Sequence, residues 1–282
     1  VIASVLPDGL PADLRIRLAN AGVVTLQGLD DTLCAISAAA CYPQLRAHVL
    51  SDAKSRVLPV PAAQAKDATI LNEAVGKALL ADHGVTVPTF MTGTAEQVIT
   101  AAGRLGYPLA VKLLNAELAH KNRAGAVHLD IKDESGLRHA IATIKASVTR
   151  YNAQLDTTHF LIEGMVNDPR AEFIAGISHK SGVGHALVIG RGGTDVEELK
   201  DFTTLLLPTC AVQIEKALHS LRITRRLQLM ETDIAALTQT IHNIALFAEN
   251  WRNKLVELDV NPILLDASGN VTAVDAYLRI RD

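Results

Sequence analysis

The sequence predicts an α+β chain, on three observations. Near the C-terminus, Leu255 to Leu278 (LVELDVNPILLDASGNVTAVDAYL) alternates apolar and polar residues on both sides of the turn signal Asp266-Ala-Ser-Gly-Asn270. That is the pattern of a β-hairpin. Upstream, capped helix-period segments mix with short apolar strands without strict βαβ alternation. Hydrophobic residues make up 49% of the 282 positions and charged residues 20%, so these elements have a well-buried core to pack against.

In chain order, residues 1–50 hold short β/α units, with a strand at Val23–Leu26 and a helix over Asp30–Ala40 that stops before Tyr42-Pro43. So short a piece buries little surface and reads as the end of a larger α/β domain. A chain starting at Val1 instead of Met is expected to be processed or truncated. Residues 51–68, rich in Pro, Ala and charge, read as an exposed linker. A helix is expected over Ile70–Asp82, capped by Thr69 and closed by Gly84, then a strand at Val85–Phe90. Thr94-Ala-Glu-Gln97 is a capping box opening a helix that ends at Gly106. Tyr107–Leu114 is a buried strand, and a loop over Asn115–Ala126 leads to a strand at Val127–Ile131. Asp133 caps a helix running to about Val148, whose apolar stripe is Leu137, Ala140, Ile141, Ile144 and Val148. Strands follow at His159–Val166, Glu172–Ile177 and His185–Ile189, then helices at about Ala211–Leu221 and Asp233–Trp251, then the hairpin.

Composition excludes several functions. A net charge of −3 without a long basic run disfavours nucleic acid and anionic membranes as partners. An aromatic content of 4% disfavours stacking on single-stranded nucleic acid. No apolar stretch approaches the roughly 20 residues of a membrane span, and no signal peptide is expected. Cys34, Cys41 and Cys210 form no metal-ligand cluster and read as reduced, small core residues of a cytoplasmic protein.

The residues able to carry chemistry lie in four places. If the hairpin loop centres on Ser268, paired residue numbers sum to 536. Asn261 then faces Asp275, Asp259 faces Tyr277, and Glu257 faces Arg279. An amide oxygen beside a carboxylate suits Mg²⁺, though the same residues also make an ordinary polar sheet face. Lys112, alone in an apolar strand, is either a snorkelling lysine or a cation for nucleotide phosphates. The following loop carries His120, Lys121 and Arg123 and reads as solvated or phosphate-facing; a neutral imidazole there can accept a phosphoryl group. In LIEGMV, Glu163 can accept from an adenine amino group while Met165 and Val166 offer backbone pairing; Glu172 is placed for a ribose. Surface or paired carboxylates explain both acids equally. In Gly190-Arg-Gly-Gly193, the backbone at Gly192 and Gly193 can cradle an anion, a weak signal by itself.

Taken in order, GYPLAVKLLNAELAHKNRAGAV, LIEGMV with AEFIAGI, GRGGTDVEELKD and LVELDVNP…AVDA resemble the ATP-grasp part of ADP-forming (NDP-forming) acyl-CoA synthetases. That group includes acetyl-CoA and feruloyl-CoA synthetase-like enzymes and, more distantly, the succinyl-CoA synthetase β-subunit. The likeness covers about residues 69–282. It implies an ATP-grasp fold of two α+β subdomains, at 69–158 and 159–282. Residues 1–50 would be the remnant of a flavodoxin-like CoA-ligase domain. It implies Lys112 on nucleotide phosphates, Glu163, Met165 and Val166 at the adenine and Glu172 at the ribose; Lys121, Gly192 and Gly193 are expected to bind the nucleotide beside them. It also implies Mg²⁺ on Asn261 and Asp275, which lie 275 − 261 = 14 residues apart. His120 would be a phosphate-relaying histidine. The implied activity couples acyl-CoA formation or cleavage to ATP/ADP through phosphohistidine. CoA-ligase and CoA-binding domains or subunits would be partners, acyl substrate and CoA the reactants, and an oligomer the assembly. Two other readings stand beside it. One is an ATP-grasp carboxylate–amine ligase, against which His120 argues. The other is a non-catalytic nucleotide-binding module, suggested by Arg123, 179–184 and 225–231, where the family's usual residues are replaced.

Overall fold

A computed structural model describes residues 1–51, 68–118, 121–166, 168–180, 183–193 and 200–281. The chain divides into two compact units, Val1–Val57 and Leu58–Asp282. The expected linker falls largely outside the described residues.

In the first unit, β1 (Ile2–Ser4) pairs in parallel with β2 (Thr25–Gln27), joined through α1 (Ala12–Asn20) and followed by α2 (Leu29–Ser51). Neither β1 nor α1 was legible as an element. The helix expected to stop at Ala40 continues through Pro43. A proline removes one helical hydrogen bond, and the good helix formers around it, Ala38–Ala40 and Gln44, sustain the rest. Val5, Leu6, Ile16, Leu33 and Ile36 remain exposed.

Among its described residues the second unit holds two sheets. The smaller is antiparallel, in the order β4 (Phe90–Thr94), β7 (His159–Gly164), β5 (Leu109–Leu113), β6 (Val127–Ile131). One of its faces packs on α4 (Ala95–Leu105) and α5 (Glu134–Tyr151), with Leu109, Val111, Leu113, Phe160 and Ile162 meeting Val98, Ile141 and Ile144. Burial of side chains of this size contributes about 1.5–3 kcal/mol each. The expected stripe of α5 is buried throughout, and Asp133 caps the helix by accepting from the Gly136 N–H at 2.7 Å. The capping box also forms, the Thr94 N–H donating to Gln97 Oε1 at 2.9 Å.

The larger sheet has seven strands. Its order is β10 (Phe202–Leu206), β9 (Gly184–Arg191), β8 (Pro169–Lys180), β11 (Leu255–Asp266), β13 (Ala276–Arg281), β3 (Ala68–Leu71), with β12 (Val271–Ala273) also on β11. Its core face packs on α6 (Ala211–Ser220) and α8 (Glu231–Asn250) through Phe173, Ile177, Ile189 and Leu258 against Ile214, Leu218, Ile241 and Phe247.

Several local expectations are corrected. The helix read from Ile70 is α3 (Glu73–Asp82), capped by Asn72, because Thr69–Leu71 are drawn into a ladder with β13. The strand read at Val85–Phe90 lies at β4 instead; Pro88 has no N–H to donate to a ladder. The short helix α7 (Arg222–Leu227) and strand β10 were not anticipated. The boundary at 158/159 does not follow the sheets, because β7 pairs with β4 and β5 while β3 joins the larger sheet. All three cysteines are exposed instead of buried.

Candidate functional site

Strand alternation sets the site. On β5, Leu109, Val111 and Leu113 face the helices, which turns Lys112 to the opposite face. On β7, Glu163 is registered with Ala110, so it shares that face with Lys112. Helix α3 brings two more charges. Its inner positions are Glu73, Gly76, Lys77 and Leu80, the i, i+3, i+4, i+7 spacing of a buried stripe. Gly76 lets α3 lie close on β13, since a Cβ there would meet the Ala276 carbonyl oxygen at 3.4 Å.

These side chains form a buried ionic cluster. Lys112 Nζ lies 2.7 Å from Glu73 Oε1, 2.8 Å from Glu163 Oε1 and 2.7 Å from the Val274 carbonyl oxygen. Lys77 Nζ lies 2.8 Å from Glu73 Oε1 and also pairs with Glu163 Oε2. Lys121 pairs with Glu73 Oε2 and lies 3.2 Å from Asp275 Oδ1. Lys112 is only 5% exposed and sits on a strand paired on both sides, so it is not a snorkelling lysine. Burial pushes the Glu73 carboxyl up, but Lys112, Lys77 and Lys121 together outweigh it and hold Glu73 below the usual carboxylate range. Burial likewise pulls Lys112 down, while Glu73, Asp275 and Glu163 prevail and hold it above the ordinary lysine value.

The hairpin register agrees with the expected sum of 536 on both sides of the break. Glu257 pairs with Arg279, Asp259 with Tyr277 and Val260 with Ala276, then Ile263 with Ala273 and Leu265 with Val271. Asn261 and Asp275 therefore occupy corresponding positions where the ladder is interrupted. Core residues stand at Val260 and Ile263 on one strand and at Ala273 and Ala276 on the other. The two residues between each pair, 261–262 and 274–275, are released from core packing. Strict alternation would have buried one of each two. Burial, then Asp275, then Glu257 push the Asp259 carboxyl up to about 6.

The remaining expected residues separate. Met165 and Val166 line a cavity of about 840 Å³ with the 266–270 turn and with Gln239, Thr240 and Asn243 of α8. The Met165 N–H is already donated to the Pro108 carbonyl oxygen at 3.2 Å. Glu163, read as an acceptor for adenine, instead has its carboxylate taken up by Lys77 and Lys112. Glu172, Gly192 and Gly193 line a second cavity, of about 490 Å³, with Arg170, Arg191 and Arg226. Gly192 is required there, because its N–H donates to the Glu172 carbonyl oxygen at 2.7 Å and a Cβ would meet Glu172 backbone at 3.1 Å. His120 lies outside the described residues.

Glu73 and Lys77 were missed, yet they left a signal: charged residues in the stripe positions of a helix that must bury that stripe. Of the arginines around Glu172, Arg170 shares its strand at i−2 and Arg191 lies in the Gly-rich turn, whereas Arg226, on α7, left no signal.

Residues 62–280 match a family model described as an ATP-grasp domain. The chain is 28% identical over 204 residues to the 4-hydroxybutyrate–CoA ligase [ADP-forming] of Nitrosopumilus maritimus, covering 71% of this chain and 29% of that one. It is 26% identical over 223 residues to the acetate–CoA ligase [ADP-forming] II subunit beta of Pyrococcus furiosus, covering 77% of this chain and 94% of that one. Among solved structures, PH1788 from Pyrococcus horikoshii Ot3 superposes with a TM-score of 0.71 at 26% identity, covering 76% of this chain and 92% of that chain. Acetyl-coenzyme A synthetase 1 of Ca. Korarchaeum cryptofilum, in complex with coenzyme A, Ca-AMPCP and HgCl+, shares the fold with a TM-score of 0.70 at 20% identity, covering 77% and 95%.

Proposed function

The chain belongs to the ATP-grasp domain family, and from that premise we propose that it is the nucleotide-handling portion of an ADP-forming acyl-CoA synthetase, an acid–thiol ligase. The observation that carries the proposal is the convergence of Lys77, Lys112 and Lys121 with Glu73, Glu163 and Asp275 where α3 and the two sheets of the second unit meet.

ATP or ADP is the nucleotide. In this reading Met165 and Val166 would meet the base, and Glu172, Gly192 and Gly193, which line a separate cavity, would meet the ribose and phosphate. Among the described residues Lys121 has two acceptors for its three N–H donors, leaving one for a phosphate oxygen, whereas Lys112 reaches phosphate only by exchanging an existing partner. Asn261 and Asp275 would hold Mg²⁺. The fit is supported by hard oxygen donors at corresponding hairpin positions and by a cation, the Lys121 ammonium, already standing on Asp275. Bound there, Mg²⁺ neutralises phosphate charge.

The chain spans under a third of the Nitrosopumilus ligase but nearly all of the Pyrococcus β subunit, so the complete reaction calls for CoA-ligase and CoA-binding partners. Residues 1–50 support such a partner. The parallel pair of three-residue strands is short for an independent sheet, and Val5, Leu6, Ile16 and Ile36 on the segments around it are exposed. In the whole enzyme, His120 would take the γ-phosphoryl group from ATP on a ring nitrogen, releasing ADP, and pass it on toward the acid.

Calorimetric titration of the intact protein with ADP and ATP, with and without Mg²⁺, tests the proposal. Saturable, Mg²⁺-dependent binding is expected, and no binding in either condition overturns it. Acid-labile, base-stable ³²P labelling from [γ-³²P]ATP separates it from a carboxylate–amine ligase.

A further inference from the structure

Glu73 is the point on which the three lysines converge, and the nucleotide site has no evident need of it. Its Oε1 accepts from Lys112 and lies 2.8 Å from Lys77 Nζ, and its Oε2 accepts from Lys121. An ammonium has three N–H donors; Lys112 donates to Glu73 Oε1 and the Val274 carbonyl oxygen and stands 2.8 Å from Glu163 Oε1. Glu73, Lys77, Glu163 and Lys112 thus close a ring of two positive and two negative charges. Lys121 stands outside the ring and is shared between Glu73 and Asp275. The six groups carry three positive and three negative charges. A cluster built to receive a bare polyphosphate would keep surplus cations; among the described residues these six groups balance.

Resting on the nucleotide reading above, we infer that Glu73 is a specificity-determining residue. Its buried carboxylate cancels lysine charge, so that a nucleoside di- or triphosphate is accepted with a divalent cation and rejected without one. Glu73 is well suited to stay ionised. It is the first residue of α3, where the helix dipole favours an anion, and it is 4% exposed. The partners link phosphate to cation as well. A phosphate oxygen that draws Lys121 away uncovers Asp275, and that carboxylate then requires a new cation. Removing the Glu73 charge breaks this linkage, because the lysines gain a net positive charge that can meet the phosphate unaided.

The test compares Kd for ADP in EDTA with Kd in excess Mg²⁺, by calorimetry on the intact protein, for wild type, Glu73→Gln, Glu73→Asp and Lys77→Met. For Glu73→Gln the ratio of the two constants is expected to fall by about tenfold or more, chiefly through tighter binding of free ADP. Glu73→Asp should restore most of the wild-type ratio. Lys77→Met disturbs the same ring but leaves an extra negative charge, so its ratio should rise. If Glu73→Gln does not fold, the opposite sign expected of Lys77→Met still decides the matter. A purely structural role predicts that both variants weaken both forms equally, and that result overturns the inference. Mg²⁺-dependent binding by the wild type with an unchanged ratio in the variants overturns this inference alone. No binding by the wild type removes the nucleotide reading and the inference with it.

Discussion

Replacing Lys112 by methionine tests how strongly the ionic ring holds the second unit together. Methionine keeps most of the buried stem but removes the ammonium, which contacts Glu73 at 2.7 Å, Glu163 at 2.8 Å and the Val274 carbonyl at 2.7 Å. Breaking a buried pair on one side costs about 3–5 kcal/mol, because the remaining charge is left without compensation. Lys77 still contacts both glutamates and Lys121 still contacts Glu73, which places Lys112→Met near the lower end, at about 3 kcal/mol. For a unit of this length each kcal/mol moves the melting temperature by about 2–4 °C, so a fall of roughly 6–12 °C is expected. Thermal and urea melts of the intact protein at neutral pH, without nucleotide, read the effect. Adding Glu163→Gln to Lys112→Met should cost less than the sum of the two single changes, with a coupling of about 0.5–3 kcal/mol. A melting temperature within about 2 °C of wild type, or strict additivity, refutes the ring as a stabilising unit.

Three further outcomes follow from the same geometry, and a fourth, on His120, from the family resemblance. Lys121→Ala should weaken Mg-ADP binding by about 1.5–3 kcal/mol, the range of a charge-assisted hydrogen bond, and equal affinity by calorimetry would remove Lys121 from the phosphate site. Asp275→Asn should weaken Mg²⁺-nucleotide binding while leaving the far-ultraviolet circular dichroism spectrum and melting temperature near wild type, since its side chain is 30% exposed; unchanged metal dependence would exclude it as a ligand. The Glu73 carboxyl is held below its ordinary value of 4.5, so its stabilising contribution is present above that pH and lost as pH falls below it; Glu73→Gln should flatten the acid limb of a stability-versus-pH curve, and a parallel curve would contradict the cluster. Incubation with Mg-ATP and the CoA-ligase partner should leave phosphate on His120 by mass spectrometry under non-acidic conditions, and full synthetase activity in His120→Ala would rule out the relay.

The sequence by itself determined what depends on near neighbours in the chain. The hairpin register needed only alternation and a turn, so the pairs summing to 536 were readable, Asn261 and Asp275 among the positions they imply. The capping box at Thr94, the cap at Asp133 and the stripe of α5 follow from helix geometry within a few residues. The ordered motifs likewise point to the ATP-grasp family. The tertiary structure alone decided where the charges meet. Lys112 reaches Glu73 across 39 residues of chain, and Lys121 reaches Asp275 across 154. No local pattern encodes such pairings, because they arise from the approach of a helix and two sheets that each fold for their own reasons. The same long-range packing drew Thr69–Leu71 out of the expected helix and into a ladder with β13. It also turned Glu163 from an expected adenine contact into a ring partner of Lys77 and Lys112. A buried charge needs a counter-charge wherever the fold can bring one, and which residue supplies it is settled only when the sheets pack.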